Sequence, residues 1–157
     1  MKNFNHGFTL LELLIIIAIL GILSAIAIPY YEKYIIKARL VEVEHAMAVV
    51  KSAVSEYHQE KGDSWPNCPS LNEIRSSLGV GLGAVSRISL LSITSATGVI
   101  TATVDNVHTT VNGKTISLTP TSNADGSISW EWGWSTDFPE QLKDKSKKEK
   151  GKGKDKK

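Results

Sequence analysis

The stretch FTLLELLIIIAILGILSAIAI, Phe8 to Ile28, is broken only by Thr9, Glu12, Gly21 and Ser24. A helix crosses a bilayer with about 20 consecutive apolar residues, so this run is long enough to span one. Ahead of it, Met1 to Gly7 is a short polar leader carrying Lys2. Two readings follow. In the first, an ordinary secretory signal, Ala25-Ile26-Ala27 is a small-residue cleavage site and the product begins near Ile28. Against it, the run exceeds the usual apolar region of about 7–15 residues, and it contains a carboxylate. In the second reading only the leader is removed, at Gly7, and the apolar segment stays in the product.

Glu12 separates the two. An acid at the bilayer centre costs roughly 2.5–3.5 kcal/mol, less near an interface, and asks for a compensating partner. Cleavage between Gly7 and Phe8 creates an α-amino group close to Glu12 in the chain. Within one straight helix the two groups approach only loosely, whereas the amine of one copy can pair with Glu12 of the next and set the axial offset between subunits. That is a mechanism of assembly.

Gly7-Phe8-Thr9-Leu10-Leu11-Glu12-Leu13-Leu14, then Gly21-Ile22-Leu23 and Ala27-Ile28-Pro29-Tyr30-Tyr31, resembles the N-terminus of type IV pilins over roughly Asn5 to Val43. The resemblance implies cleavage after Gly7 by a prepilin peptidase and N-methylation of Phe8. It further implies insertion in the bacterial inner membrane, then polymerisation by an ATPase-driven assembly platform into an extracellular filament. Glu12 is then the residue that neutralises the Phe8 amine of a neighbour. The stretch between Gly21 and Pro29 is implied to unwind when the subunit packs in the filament. The implied roles are adhesion, motility or DNA uptake. Without the resemblance, a generic single-span anchor leaves Glu12 without a reason.

Five segments follow: a leader at 1–7, a membrane and filament-core helix at 8–28, an amphipathic helix at 29–61, a globular part at 62–142 and a lysine-rich tail at 143–157. In the amphipathic part Val43, Met47, Val50, Val54 and Tyr57 recur at helical spacing, widened by Ala46, Val49 and Ala53. That stripe is expected to meet a sheet. Pro29 is expected to kink the helix and Gly21 to weaken it. Gly62-Asp63 with Pro66 is expected to end it. Tyr30, Tyr31 and Tyr34, just past the apolar run, suit a membrane interface better than a path for electrons.

Ser70-Leu71-Asn72-Glu73 fits a capping box and predicts a short helix to Leu78, stopped by Gly79. Strands are expected at Ile88–Thr94, Val99–Val104, Val107–Val111, Thr115–Thr119 and Ser127–Trp134, with turns at Ala96-Thr97-Gly98, Asn112-Gly113 and Asn123-Ala124-Asp125-Gly126. The fold class is therefore α+β: a long N-terminal helix whose second half packs on an antiparallel sheet of about four to five strands. Ile128, Trp130, Trp132 and Trp134 alternate onto one face of the last strand, and the core is expected there. Ile116 to Pro120 and Gly126 to Trp130 also resemble the end of the sheet in type IVa pilins. Many of those close this region with a disulfide, but Trp132 stands where its first cysteine is expected. Receptor roles tied to that loop do not transfer.

The whole chain has 157 residues, 18 Lys+Arg and 16 Asp+Glu, a near-neutral total that hides an uneven layout. Nine of the basic residues, Lys143, Lys145, Lys147, Lys148, Lys150, Lys152, Lys154, Lys156 and Lys157, fall in the tail with Asp144, Glu149 and Asp155. That segment carries +6 and residues 1–142 carry −4. Such a tail reads either as a solvated extension or as an arm for DNA, anionic surfaces or the acidic flank of a neighbouring subunit. Cys68 is the one cysteine, which excludes an internal disulfide; it reads as a free loop thiol capable of joining two subunits. His45, His58 and His108 lack metal-site spacing, no catalytic constellation emerges, and no cofactor is expected. Two rivals remain open: a pseudopilin of a type II secretion system, and a membrane-anchored DNA- or surface-binding protein acting through its tail.

Overall fold

A computed structural model describes residues 8–82 and 85–143. Helix α1 runs Leu10–Glu60, α2 Leu71–Leu78, and four strands follow: β1 Ile88–Ile93, β2 Ile100–Val104, β3 Thr115–Ser122 and β4 Ile128–Trp134. By their contacts these residues divide into two units, one ending at Ile35 and the other starting at Ile36, with α1 contributing to both.

In the first unit every large apolar side chain from Phe8 to Ile28 is exposed, from 42% at Ile16 to 87% at Leu10. Among the described residues of this unit nothing covers them. The helix is long and apolar enough to cross a membrane. It stays α-helical through Pro29, whose missing N–H leaves the Ala25 carbonyl without its helical donor. Apart from its chain neighbours and the adjacent helix backbone, Gly21 has no described atom within 4 Å of where a Cβ would be.

The second unit is an antiparallel meander, β1-β2-β3-β4, with the second half of α1 packed on one face. The buried stripe of α1 is Ile36, Leu40, Val43, Met47, Val50, Val54 and His58, spaced by three and four. It extends the expected seam towards the N-terminus and ends on His58, while Tyr57 stays half-exposed. Facing it are Leu91, Ile93, Ile100, Ala102, Val104, Ile116 and Leu118, all 2% exposed or less. The helix stops as expected: Gly62 and Asp63 both take positive φ, and the Asp63 N–H reaches back to the His58 carbonyl at 3.2 Å. Helix α2 has Ser70 as N-cap and Gly79 in the left-handed region at its C-terminus, also as expected.

Three expectations are corrected. Val107–Val111 is a loop between β2 and β3 and not a strand. Asn106 adopts φ +51, and the Asn112 Oδ1 accepts the N–H groups of Val107 and His108 at 3.0 and 3.1 Å. This single turn buries Val107 and Val111 together, because residues four apart share a helical face as well as a strand face. Asn112-Gly113 accordingly shapes the entry to β3, with the Gly113 N–H on the Val104 carbonyl, instead of making a two-residue hairpin.

The second correction concerns the tryptophans. Trp130, Trp132 and Trp134 pair with Pro120, Leu118 and Ile116 on the inner face, as expected. They remain half-exposed, however: β4 is an edge with no strand beyond it, whereas the other edge, β1, is bridged by the Cys68 segment. The deepest packing is in β1, β2 and β3. The third is Cys68, which is fully buried and bridges to Ile93 of β1 through both backbone hydrogen bonds.

The segment beyond β4 is held without a disulfide. Phe138 is buried at 2%, the Ser135 N–H donates to the Thr115 carbonyl, and Lys114 bonds both the Asp137 carboxylate and its carbonyl.

Candidate assembly site

The start of α1 is built by Thr9 and Glu12. The Glu12 N–H donates to Thr9 Oγ1 at 3.2 Å, while Glu12 Oε2 accepts the Thr9 N–H and hydroxyl, both at 2.8 Å. The Thr9 carbonyl already takes the first helical bond, from the Leu13 N–H. This is a capping box with Thr9 as N-cap and Glu12 at its third position. The Thr-x-x-Glu spacing carries that signal, yet Thr9 reads at first as a mere interruption of an apolar run. Its effect is to fold the carboxylate back over the positive end of the helix.

The geometry has a chemical consequence. One carboxylate oxygen, Oε2, is committed to the cap, and Oε1 has no partner among the described residues. Phe8, 74% exposed, immediately precedes the cap. The carboxylate is thus fixed within the apolar helix start, exposed on its side and able to accept an ammonium from another molecule. Gly7 lies outside the described residues. Gly21 and Pro29 are placed on the same exposed helix, and Tyr30, Tyr31 and Tyr34 follow them, 66–72% exposed, with the Lys33 Nζ over the Tyr30 ring at 5.8 Å.

Of the nine tail lysines only Lys143 is described, and its Nζ is paired with Glu140. Lys145, Lys147, Lys148, Lys150, Lys152, Lys154, Lys156 and Lys157 lie outside the described residues.

Two clusters of the globular unit are accounted for by packing. His58 stacks on Trp65 at 3.8 Å between ring centroids, with Nε2 3.3 Å from Asp63 Oδ1, and Trp65 meets Trp130 edge-on. Trp65 also lies against Gly98, which sits at φ +69 and where any Cβ would collide with the indole. Asp125 binds the Ser127 N–H and hydroxyl, bonds that hold its carboxyl below the usual carboxylate range and define the β3–β4 turn. Among the described residues no three His, Cys, Asp or Glu side chains converge as a metal site would require.

For Cys68, burial raises the thiol pKa above its ordinary value; the Glu73 carboxylate adds to the rise and a hydrogen bond with Ser77 opposes it. A buried thiol with little thiolate is a poor nucleophile. Cys68 should therefore resist a maleimide or disulfide reagent at pH 8 in the folded chain and react promptly in denaturant, read as a mass increase. Labelling of folded protein at the rate of a free thiol would contradict the burial and restore the subunit-joining role.

A membrane-length helix start left uncovered by the described residues of its own unit, a carboxylate fixed at its tip and a small α+β unit define a class: subunits that polymerise through their N-terminal helices. The comparisons agree. The family described as "Pilin (bacterial filament)" matches residues 36–146, and a "Prokaryotic N-terminal methylation motif" matches residues 2–28. "Fimbrial protein EcpC" of Eikenella corrodens is 40% identical over 139 residues, 87% of this chain and 88% of that one. "Type IV major pilin protein PilE" of Neisseria gonorrhoeae is 36% identical over 132 residues, covering 83% and 75% of the two chains. A "Type IV major alpha-pilin" of Moraxella bovis is 52% identical over 52 residues, a third of each chain. The chain belongs to the type IV pilins: it is a structural subunit of a self-polymerising filament and not an enzyme.

Proposed function

We propose that the chain is made as an inner-membrane precursor, cut after Gly7 by a prepilin peptidase, N-methylated at Phe8 and polymerised into a surface pilus serving adhesion, motility or DNA uptake. The observation that carries this reading is the carboxylate of Glu12, held by Thr9 with one oxygen free at the tip of an uncovered apolar helix. After cleavage the Phe8 amine of a neighbouring copy is the cation that fits it. The similarity of the chain to a fimbrial protein and to major pilins over most of its length supports a surface fibre over a secretion pseudopilin.

The energetics give the assembly machinery its task. Burying apolar surface away from water yields about 25 cal/mol per Å². In the bilayer the helix is already among apolar neighbours, so that gain is absent and helices associate by packing and polar contacts. Extraction needs external work, supplied by an ATPase-driven platform. Gly21, at about 1 kcal/mol less helical than alanine, and Pro29, which offers no N–H to the Ala25 carbonyl, make the intervening turns the ones that unwind when helices pack.

The test is the mass of subunits sheared from cells. A product starting at Phe8 with one added methyl group is the expected result, and one starting near Ile28 overturns the reading.

A further inference from the structure

The geometry points to a docking groove for the lysine-rich segment of a second copy of this chain, an inference that rests on the polymerisation reading above. The groove lies in the globular unit where the last turns of α1 run beside α2. It has a volume of about 200 Å³ and is lined by Ala53, Glu56, Tyr57, Glu60, Ser77 and Leu78. Ala53, Tyr57 and Leu78, with apolar side-chain surface, are half-buried in its lining, while Glu56 and Glu60 are exposed.

These two carboxylates sit four residues apart on one helix face, where like charges repel. Neither has an ion pair or hydrogen bond among the described residues. Other acids of this unit are engaged: Glu42 with Arg87, Asp63 with His58, Asp137 with Lys114. A lysine suits such a lining because its aliphatic stem lies along apolar surface while its ammonium meets a carboxylate.

The chain carries that occupant itself. Beyond Lys143 come eight lysines and three acids, a net +5. Lys145-Ser146-Lys147 and Lys150 to Lys156 place lysines at every second residue. Positions two apart in an extended chain are about 6.6 Å apart, close to the 5–6 Å between residues four apart on a helix. Neighbouring lysines therefore match Glu56 and Glu60.

The root of the segment and the groove lie at opposite ends of the unit. Lys114, which holds Asp137, adjoins Val104, and Arg39 reaches the Val107 carbonyl at 2.7 Å. Successive turns, Phe138 N–H to the Ser135 carbonyl and Leu142 N–H to the Pro139 carbonyl, keep the stretch leading to Lys143 short, so its root starts from the Arg39 end. Trp130 Nε1 donates to Ser55 Oγ at the other end, where the groove begins. Sixteen helical steps separate Arg39 from Ser55, about 24 Å along the axis. Copies stacked in one direction bring the basic root of each towards the acidic groove of the next, and the low charge of the whole chain becomes two complementary poles.

The test is zero-length carbodiimide cross-linking of filaments formed by the full chain, read on denaturing gels and by peptide mass spectrometry. Cross-links joining Lys145 to Lys157 with Glu56 or Glu60 are expected in dimers and higher multiples. They should fall at least tenfold in a Glu56→Gln/Glu60→Gln variant and vanish in a chain ending at Lys143. Cross-links confined to monomers would place the segment on its own copy and overturn the proposal, as would links unchanged by the double variant or a tail engaged only by added DNA. A wild-type chain that yields no filaments overturns the polymer reading and the docking with it. Filaments lacking these cross-links overturn the docking alone.

Discussion

Cells carrying Glu12→Val are expected to hold normal amounts of mature subunit in the inner membrane and no filaments. Insertion gains from the change, because the acid costs roughly 2.5–3.5 kcal/mol at the centre of a bilayer and less near its surface. Assembly loses. Under the proposed pairing each Phe8 amine would enter the apolar helix bundle without its counter-charge, and removing one partner of a buried pair costs about 3–5 kcal/mol. At 1.4 kcal/mol per tenfold, that weakens every subunit contact by about two to nearly four orders of magnitude.

The cap introduces a second effect that must be separated from the first. Glu12→Val also removes the acceptor of the Thr9 N–H and hydroxyl. Thr9→Ala breaks the cap and keeps the charge, at a cost of about 1 kcal/mol. Glu12→Gln keeps a side chain that serves a capping box and removes the charge. Filaments should therefore persist in Thr9→Ala and be lost in Glu12→Gln, counted by electron microscopy of the sheared fraction with immunoblots of the membranes. The opposite order would show that Glu12 acts as a helix cap and not as the partner of an amine.

The N-terminal half was the most legible part of the chain, since a carboxylate inside a membrane-length apolar run has few physical explanations. What escaped was local. Thr9 is a polar break when the run is scored for hydropathy, and only its three-residue spacing to Glu12 marks it as a cap. Val107 and Val111 satisfy a period of 2 and a period of 3.6 equally well, so five residues do not distinguish a strand from a folded turn; the Asn112 side chain decided it by taking two backbone N–H groups. Cys68 sits between Asn67 and Pro69 in a segment of loop composition, and its burial depends on pairing with Ile93, far along the sequence. For β4, alternation identified the correct inner face but contained nothing about strand order. Both β1 and β4 are edges of the meander, but only β1 is bridged by a further segment, at Cys68, and the indoles of β4 are left half-exposed.

That difference yields an ordering of stabilities. If the tryptophan face were the core, Trp130 substitutions would dominate. Met47, however, is fully buried in the α1 stripe, and Met47→Ala should cost about 2–5 kcal/mol through lost transfer energy and the cavity left behind. Trp130→Phe keeps an aromatic ring against the half-exposed face and loses the bond to Ser55, a net of about 0.5–1.5 kcal/mol with a small addition for area. Val49→Ala, on the same helix but 49% exposed, should stay within about 0.5 kcal/mol of the parent. All four tryptophans belong to the globular unit, so indole fluorescence during urea unfolding of the detergent-solubilised chain reports on that unit and not on the apolar N-terminal helix. With a total stability of about 5–15 kcal/mol, Met47→Ala removes a large fraction of it and leaves filaments prone to proteolysis. Should Trp130→Phe prove the more damaging of the two, the load of the fold would lie at the β4 edge and not between α1 and the central strands.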